Sequence, residues 1–418
     1  MTGPSGTERM LGGLLRDSHL MAFEDLPGKV DEHARAVGLR QVRIYLADLQ
    51  ESVLRLLTGR GEDAREAGPG GPAKELGIEG SLAGRAFQHG RTVTAPGGAE
   101  GSCQWWVPVV DGAERLGVLQ ATGPDDELTR GNLHHLASLV ALIVVSKAGL
   151  SDSYARLTRT RSMNVAAEMQ WNLIPPLTFA GERVVVSAAM EPAYEIGGDA
   201  FDYALSGDTV HLAVFDAMGH DASAGLTANL AMAACRNNRR QGKDLVETGE
   251  AIERVLTGQF GTSGYATAVL AHLDTRTGLF SWVNRGHHPP VVIRGGRWAG
   301  TLSCPPAHPL GTNLGLKSVM CREQLEPGDR VLLYTDGFTE ARSPDGQEFG
   351  LDRLVDFLVR HDAAGLPVPE TLRRLTRSVM EYHQGHLNDD GTVLLLEWHG
   401  PGPAAAGRSE ALAGLPGR

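Results

Sequence analysis

The feature that most constrains this chain is a set of acidic residues placed at or beside the ends of apolar runs. The first pair, Asp199 and Asp202, follows two glycines, and further carboxylates occur at Asp216, at Asp336 and at Asp389–Asp390. Glycines permit tight turns and close approach to a ligand. Oxygen ligands from converging strand ends are the donors that hard divalent cations prefer. The pattern therefore predicts a metal site assembled from residues that are distant in the sequence.

Length and charge limit the classes of protein to which the chain can belong. With 418 residues it is long for one core, which favours two domains joined by a linker. Its apolar fraction of 42% is that of a globular protein. The formal net charge of −11 argues against nucleic acid as a partner, because nucleic-acid binding depends on basic patches.

Cysteine usage and hydropathy predict a cytoplasmic protein. The cysteines are far apart and lack CxxC spacing, so we interpret all of them as reduced thiols; they are Cys103, Cys235, Cys304 and Cys321. Residues 1–6 lack the basic and apolar segments of a signal peptide. The longest apolar stretch, 136–145, is too short to cross a bilayer. We therefore expect no membrane span.

The first half of the chain has the pattern of a small sensor domain. After a flexible lead-in over 1–16, strands, a small-residue turn at 80–87, a hairpin at Asp111–Gly112 and a closing helix succeed one another. Residues 17–148 resemble a GAF domain. The resemblance implies a small-molecule ligand or a homodimer interface. Trp105 and Trp106 could line a pocket, or one could face the core and the other a partner.

The second half has a different pattern, with antiparallel strands separated by pairs of helices. Residues 149–180 predict a helical linker, which could relay a signal or act as a plain spacer or a dimerising coil. Residues 181–399 predict sheets with helices stacked outside them. The tail at 400–418 is rich in Pro, Gly and Ala and is expected to be disordered. The fold class is therefore α+β.

The acidic clusters carry the chemistry only when they are considered together. A single Asp at a strand end is most often a turn former or a helix cap. Several gathered carboxylates without an adjacent Lys or Arg would repel one another, and bound cations would relieve that repulsion. Two divalent cations about 3.5–4 Å apart can activate a water for in-line displacement at phosphorus. Neither a nucleotide-binding GxxxxGK loop nor a GxSxG serine elbow is present.

The histidines near these clusters leave several roles open. His220 follows the Asp216 cluster and could act as a general acid. The pair His287–His288 could supply a ligand or a proton donor, or His287 could be purely structural. Adjacent residues on a strand point to opposite faces, so the pair does not easily serve one site.

Seven motifs together carry a resemblance to a known family. They occupy residues 188–203, 216–220, 284–290, 309–311, 327–329, 334–342 and 389–392. Their order and spacing resemble the SpoIIE-type bacterial branch of the PPM metal-dependent serine/threonine phosphatases over residues 165–399. Residues 167–176 are similar to the helix that precedes this family's catalytic domain and is thought to switch it. The resemblance implies an αββα sandwich with two Mn²⁺ or Mg²⁺ ions at one edge.

The same resemblance assigns roles to individual residues. It implies that Asp216 bridges both ions, with help from the carbonyl of Ala217. Asp199 serves one ion, while the other is served by Asp336 and Asp389, with Asp390 as the substitute for Asp389. A water activated by the ions would attack phosphoserine or phosphothreonine. The chain departs from the family at one position, where Asp221 replaces the usual glycine.

Three functional hypotheses follow. The first is a cytoplasmic, sensor-regulated phosphatase whose substrate, by resemblance, is a phosphorylated anti-sigma-factor antagonist. The second is a non-catalytic signalling scaffold that keeps the phosphatase fold. The third is a diguanylate cyclase, because residues 197–201 are similar to the GGDEF signature, although Ala200 stands where that signature has glutamate.

Overall fold

The computed structural model describes residues 4–59, 73–97, 101–195, 197–219, 221–384, 387, 389–402 and 405–415. The chain divides into two compact units, residues 1–161 with 414–418 and residues 162–413. The sequence also predicts two domains, but it places the first over residues 17–148 and the second over 181–399, with a helical linker between them. We describe each unit by itself.

Among its described residues, the first unit contains one six-stranded antiparallel sheet and five α-helices, with short 3-10 turns at Phe23–Asp25 and Arg35–Val37. The strands are β1 (Arg40–Ala47), β2 (Val53–Leu56), β3 (Glu75–Gly77), β4 (Val93–Pro96), β5 (Ser102–Asp111) and β6 (Glu114–Pro124). The helices are α1 (Gly6–Ser18), α2 (Leu26–Ala34), α3 (Leu82–His89), α4 (Glu127–Ala148) and α5 (Asp152–Thr158). The strand order is β3-β2-β1-β6-β5-β4.

The two tryptophans of β5 lie on opposite faces of this sheet. Trp105 is fully buried in the core that includes Leu14 of α1 and Leu136 of α4. Trp106 packs against Phe87 of α3 on the other face. The prediction that one tryptophan faces a partner is therefore wrong, because helices cover both faces. The assignment of this unit as GAF-like stays a prediction.

The first helix replaces part of the expected flexible lead-in. Ser5 caps α1 by accepting from the backbone N–H of Glu8, whose carboxylate accepts from the N–H of Ser5 in turn. Met10 and Leu14 are fully buried in the core of the unit. The apolar face of α1 packs in this core, which explains why residues 6–16 form a helix instead of the expected flexible segment.

Helix α4 is the one helix in the described part of the chain that is long and apolar enough to cross a membrane. Its length is 22 residues, and half of its most apolar window is buried inside the structure. Val140 and Val144 are among its fully buried residues. Those side chains form the core beside Trp105 in this structure.

The second unit contains two antiparallel sheets and seven α-helices among the described residues. The strands are β7 (Thr178–Ala180), β8 (Val184–Glu191), β9 (Asp199–Ser206), β10 (Thr209–Ala217), β11 (Ala266–Asp274), β12 (Leu279–Arg285), β13 (Val291–Arg294), β14 (Arg297–Thr301), β15 (Cys321–Gln324), β16 (Arg330–Tyr334) and β17 (Gly391–Trp398). The helices are α6 (Val165–Trp171), α7 (Ala222–Arg240), α8 (Leu245–Phe260), α9 (Asp336–Thr339), α10 (Leu351–Ala363), α11 (Val368–Tyr382) and α12 (Ala405–Ala413).

These elements form the αββα sandwich that the sequence predicts. The first sheet has the order β15-β12-β11-β10-β9 and the second β14-β13-β16-β17-β8-β7. A core that includes Phe201 and Leu394 fills the space between the sheets. A second core joins the first sheet to α7 and α8, and a third joins the second sheet to α10 and α11. Each sheet therefore buries both faces.

Two further expectations differ from the structure. The tail contains helix α12, whose Ser409 is buried and hydrogen-bonded to His399 at 2.7 Å, so disorder is the wrong description of residues 405–413. Cys304 and Cys321 form a disulfide, so the interpretation of all four cysteines as reduced is wrong for this pair. The two residues flank a loop, and their Cα atoms come within 5.8 Å. Sequence spacing alone gave no sign of this approach.

Candidate metal centre

Two of the predicted carboxylates face each other at one edge of the first sheet. Asp199 begins β9, Asp216 lies near the end of β10, and the two residues are direct partners in the antiparallel register. The side chain of Asp199 is only 2% exposed. The Thr335 hydroxyl donates to Asp199 Oδ2 at 2.6 Å, and the Thr267 hydroxyl lies 3.3 Å from Asp216 Oδ2. Residues 17 positions apart are thereby brought together.

The second sheet contributes the other acidic residues at the same edge. Asp336 begins α9, with only Thr335 between it and the end of β16, and Asp390 immediately precedes β17. The backbones of these two segments are in close contact, because a Cβ atom added at Gly337 would lie 2.0 Å from the carbonyl oxygen of Asp390. Glycine at 337 therefore allows the start of α9 to approach the start of β17.

The adjacent carboxylates Asp389 and Asp390 have different surroundings. Asp390 is buried, and its Oδ2 accepts from the backbone N–H groups of Gly197 and Gly198 at 2.7 and 2.5 Å. Asp389 is exposed, and its Oδ1 accepts from the N–H of Asp390 at 2.9 Å. Asp390 therefore anchors the glycine pair that precedes Asp199, while Asp389 keeps the more accessible carboxylate.

The glycine pair also brings the backbone of the first cluster against that of the second. A Cβ atom added at Gly198 would lie 2.5 Å from the carbonyl oxygens of both Ala217 and Gly219. The N–H of Ala217 donates to the carbonyl of Gly198 at 2.9 Å. A side chain at 198 would displace the Ala217 carbonyl, which by the family resemblance is a backbone ligand.

The mutual proximity of these carboxylates is expressed in their pKa values. Burial, followed by the nearby Asp336 and Asp389, raises the pKa of Asp216 to about 7. Burial and the neighbouring Asp216 raise the pKa of Asp199 well above its usual range. Burial raises the pKa of Asp390 to about 6. Carboxylates from four segments therefore repel one another at a single edge.

The donor set fits hard divalent cations in its chemistry. Among the described residues, no Lys or Arg forms an ion pair with any of these carboxylates, so no protein cation offsets their charge. In the same part of the chain, no three His, Cys, Asp or Glu side chains lie in an arrangement that could hold a metal ion by themselves. The carboxylates converge on the edge without closing a full ligand sphere from side chains alone. Backbone carbonyls and waters complete such spheres for Mg²⁺ and related ions.

The histidines divide between buried and exposed positions. His287 is buried, and its ring nitrogens lie 2.6 Å from Thr267 Oγ1 and 2.9 Å from the carbonyl oxygen of Tyr334. These contacts favour the structural role over the ligand role. His288 is exposed and stacks on the ring of Tyr334 at a centroid distance of 5.5 Å. His220 lies outside the described residues.

The departure at Asp221 has a local explanation. Its carboxylate accepts from the backbone N–H groups of Ser223 and Ala224 at 2.9 and 3.0 Å, which caps the first turn of α7. A helix cap of this kind satisfies backbone donors that would otherwise lack partners. Asp221 is therefore engaged at the helix start, as an ordinary capping residue would be.

Sequence reasoning missed the hydroxyl groups that contact the carboxylates. Thr267 faces Asp216 across the β10–β11 pair, and Thr335 donates to Asp199. Thr335 lies in a motif with Asp336, and this adjacency was a usable signal. Thr267 lies in an ordinary apolar strand, so only its cross-strand register reveals it.

The comparisons agree with this architecture. Residues 206–399 match the family model described as Stage II sporulation protein E (SpoIIE). This part of the chain is similar to SpoIIE-type domains. The match includes Asp216, Asp336 and Asp389 and begins after Asp199. The SpoIIE-type resemblance predicted from the sequence is thereby confirmed, and so is the sandwich fold.

Individual relatives are similar at low sequence identity. Phosphoserine phosphatase RsbU of Bacillus subtilis is 22% identical over 240 residues, which cover 56% of this chain and 69% of RsbU. Protein IcfG of Synechocystis is 24% identical over 239 residues, which cover 50% of this chain but only 37% of IcfG. A solved structure of the RsbU and RsbW domains of a Mycobacterium tuberculosis protein is 26% identical, with a TM-score of 0.47, and the similarity covers 55% of this chain and 64% of that one.

Proposed function

We propose that the second unit is a metal-dependent protein serine/threonine phosphatase. The observation that carries this proposal is the convergence of Asp199, Asp216, Asp336 and Asp389 at one sheet edge without a basic partner among the described residues. The relative RsbU is named a phosphoserine phosphatase, which supports the same activity. A scaffold would have no need to keep four mutually repelling carboxylates at one edge.

The proposed roles follow from the position of each group. Asp216 is the central ligand, since its carboxylate is influenced by Asp336, Asp389 and Asp390 together. Asp199 and the Ala217 carbonyl hold one side of the site, and Asp336 with Asp389 the other. We assign Asp390 to the glycine pair, because both of its hydrogen bonds to backbone N–H groups already engage Oδ2.

Mn²⁺ or Mg²⁺ would be the cofactor, since both favour carboxylate, carbonyl and water ligands. When bound, two such ions would supply the positive charge needed to activate a water and to stabilise an in-line displacement at phosphorus. The protein's own contribution is to hold the ligands in register through the β9–β10 pair and the α9–β17 contact. The exposed Asp389 leaves this edge open to a phosphorylated side chain of another protein.

We also propose a regulatory arrangement around this activity. The first unit is a GAF-like sensor of a small molecule or partner, and the chain acts in the cytoplasm as a homodimer. The substrate class is a phosphoserine or phosphothreonine protein, with an anti-sigma-factor antagonist as the leading candidate. Helix α6, which packs on α7 through the close contact of Ala166 with Gly225, is the proposed route by which a signal reaches the site.

The test compares the unaltered protein with Asp216→Asn. We expect Mn²⁺-dependent hydrolysis of a phosphoserine peptide by the unaltered protein and loss of that hydrolysis in the variant, with an unchanged circular dichroism spectrum. Metal-dependent activity retained in Asp216→Asn would overturn the assignment of the centre. A protein that binds neither Mn²⁺ nor Mg²⁺ would instead be a scaffold.

A further inference from the structure

The buried side chain of His287 connects the two sheets at the edge that holds the carboxylates. One ring nitrogen, Nδ1, lies 2.6 Å from the hydroxyl oxygen of Thr267 on β11. The other, Nε2, lies 2.9 Å from the carbonyl oxygen of Tyr334 at the end of β16. The backbone of His287 is fixed as well, because its N–H and carbonyl both bond to the side chain of Asn284 at 2.8 Å. Hydrogen bonds therefore fix both ring nitrogens and the backbone of His287.

The partners of His287 determine where the ring proton lies. The Tyr334 carbonyl can only accept, so Nε2 must donate the hydrogen of that contact. Burial lowers the pKa of His287 to about 4, so the imidazole is neutral near pH 7. A neutral ring with hydrogen on Nε2 has a lone pair on Nδ1. The Thr267 hydroxyl therefore donates to Nδ1.

This arrangement determines what Thr267 presents to Asp216. A hydroxyl has one hydrogen, and the 2.6 Å contact with His287 takes it in preference to the 3.3 Å contact with Asp216 Oδ2. The oxygen of Thr267 then turns a lone pair towards the carboxylate. Asp216 receives no hydrogen from its nearest neighbour on β11, and its oxygens stay available to a cation.

The ring of His287 also contacts the segment that leads to Asp336, on the second sheet. Tyr334, which His287 holds, is followed by Thr335 and Asp336. Thr335 donates to Asp199 at 2.6 Å and accepts from the N–H of Thr392 at 2.8 Å. The position of the Tyr334 carbonyl therefore helps to set where this segment lies relative to β10 and β11.

We propose that His287 and Thr267 form a positioning pair that leaves the oxygens of Asp216 available to a divalent cation and, by linking β11 to the Tyr334 carbonyl, fixes the spacing between Asp216 and Asp336. The inference rests on the proposed function of this edge as a metal centre. Neither side chain is proposed to touch the substrate. Groups that orient metal ligands in this manner typically change metal affinity or activity by about 10–100-fold when they are removed.

The test uses Thr267→Val, which keeps the shape of the side chain and removes its hydroxyl, and Thr267→Ser, which restores the hydroxyl. The matched control is Thr275→Val. Thr275 is also a buried hydroxyl, donating to the Asp208 carbonyl at 2.9 Å, but it lies beyond the opposite end of β11. Mn²⁺ affinity is measured by titration calorimetry, stability by urea denaturation of the metal-free protein, and kcat with p-nitrophenyl phosphate.

We expect Thr267→Val to bind Mn²⁺ about 10–100-fold more weakly than the unaltered protein, and Thr267→Ser to remain within about threefold. Thr275→Val should lose stability but keep its Mn²⁺ affinity. His287→Gln keeps an amide N–H that can reach the Tyr334 carbonyl but offers Thr267 no acceptor in the place of Nδ1. It should weaken Mn²⁺ binding as Thr267→Val does, and the double variant should be no weaker than either single variant because the two residues act as one unit.

The outcomes separate this inference from the proposed function. If the unaltered protein binds Mn²⁺ while Thr267→Val and His287→Gln bind it equally well, the positioning role is overturned and the metal centre stands. Additive losses in the double variant would overturn the claim that the two residues act together. If the unaltered protein binds no divalent cation, the metal centre and the positioning pair are both overturned.

Discussion

Asp199 and Asp202 lie three residues apart on strand β9 and are almost equally inaccessible, with exposed fractions of 2% and 1%. Asp202 is bound by two arginines of α7, with contacts of 2.7 Å from Arg236 and 2.6 Å from Arg239. Asp199 has a threonine hydroxyl, Thr335, and other carboxylates around it. One carboxylate is therefore neutralised by the fold, and the other is not.

The difference arises from the pleat of the strand. Successive side chains alternate between faces, so residues three apart point in opposite directions. Ala200, on the same face as Asp202, packs in the core beneath α7 and α8. Phe201, on the same face as Asp199, packs between the two sheets. A buried carboxylate that meets guanidinium groups is part of the architecture, whereas one that meets only other carboxylates is a candidate ligand.

The largest expected effect is that of Asp199→Asn on catalysis. The substitution keeps the size of the side chain and an oxygen that can accept from Thr335, but it removes the negative charge. We expect kcat for p-nitrophenyl phosphate with saturating Mn²⁺ to fall about a thousandfold, or ~4 kcal/mol, since metal centres supply several kcal/mol of transition-state stabilisation. Steady-state kinetics over a range of Mn²⁺ concentrations measures the loss.

The stability of the same variant is its control. Without metal, Asp199 is a repelled, buried carboxylate, so its removal should not lower the free energy of unfolding. Urea denaturation of the metal-free protein checks this. A large loss of stability in Asp199→Asn would mean that Asp199, like Asp202, is held by the fold, and the contrast between the two positions would disappear.

The second-largest effect is that of Asp202→Asn, which should lower the free energy of unfolding but leave Mn²⁺ binding unchanged. The change leaves Arg236 and Arg239 without their carboxylate partner. Breaking a buried ion pair costs about 3–5 kcal/mol, and the lower end applies here because both arginines are partly exposed, at 21% and 13%. We expect a loss of about 3 kcal/mol in urea denaturation. Mn²⁺ affinity at 10 °C, where the variant remains folded, should stay within about threefold of the unaltered protein.

Sequence reasoning predicted the acidic edge but could not separate Asp199 from Asp202. Strand-end carboxylates are visible as a pattern, and the antiparallel register that joins Asp199 to Asp216 follows from consecutive strands. The arginines that neutralise Asp202 lie 34 and 37 residues further along, on a helix whose orientation the pattern does not give. The prediction that none of the clusters has a neutralising basic residue is therefore wrong for Asp202. The choice of Asp199 came from the family resemblance.

Other gaps have the same origin in long-range contacts. The disulfide joins Cys304 and Cys321 across a 17-residue separation, and this spacing does not by itself indicate a pair. The hydrogen bonds of Asp390 reach Gly197 and Gly198 nearly 200 positions away. By contrast, the hairpin at Asp111–Gly112 was predicted correctly, because its turn residues lie next to the strands they join.

The smallest expected effect is a pH dependence that distinguishes the same two positions. Because the pKa of Asp216 is raised from 3.8 to about 7, the folded metal-free protein holds a proton that the unfolded chain releases near pH 4. Its contribution to stability is present below about pH 4 and is lost as the pH rises towards about 7. Urea denaturation across this range should therefore show the free energy of unfolding falling with pH.

Saturating Mn²⁺ should reverse this pH dependence of stability, because the ion displaces the proton from Asp216. Asp199→Asn should flatten the slope, because it removes a second carboxyl group whose pKa the folded protein raises. Asp202→Asn should keep the slope, and an equal slope in both variants would contradict the assignment of repulsion to the Asp199 side of the strand.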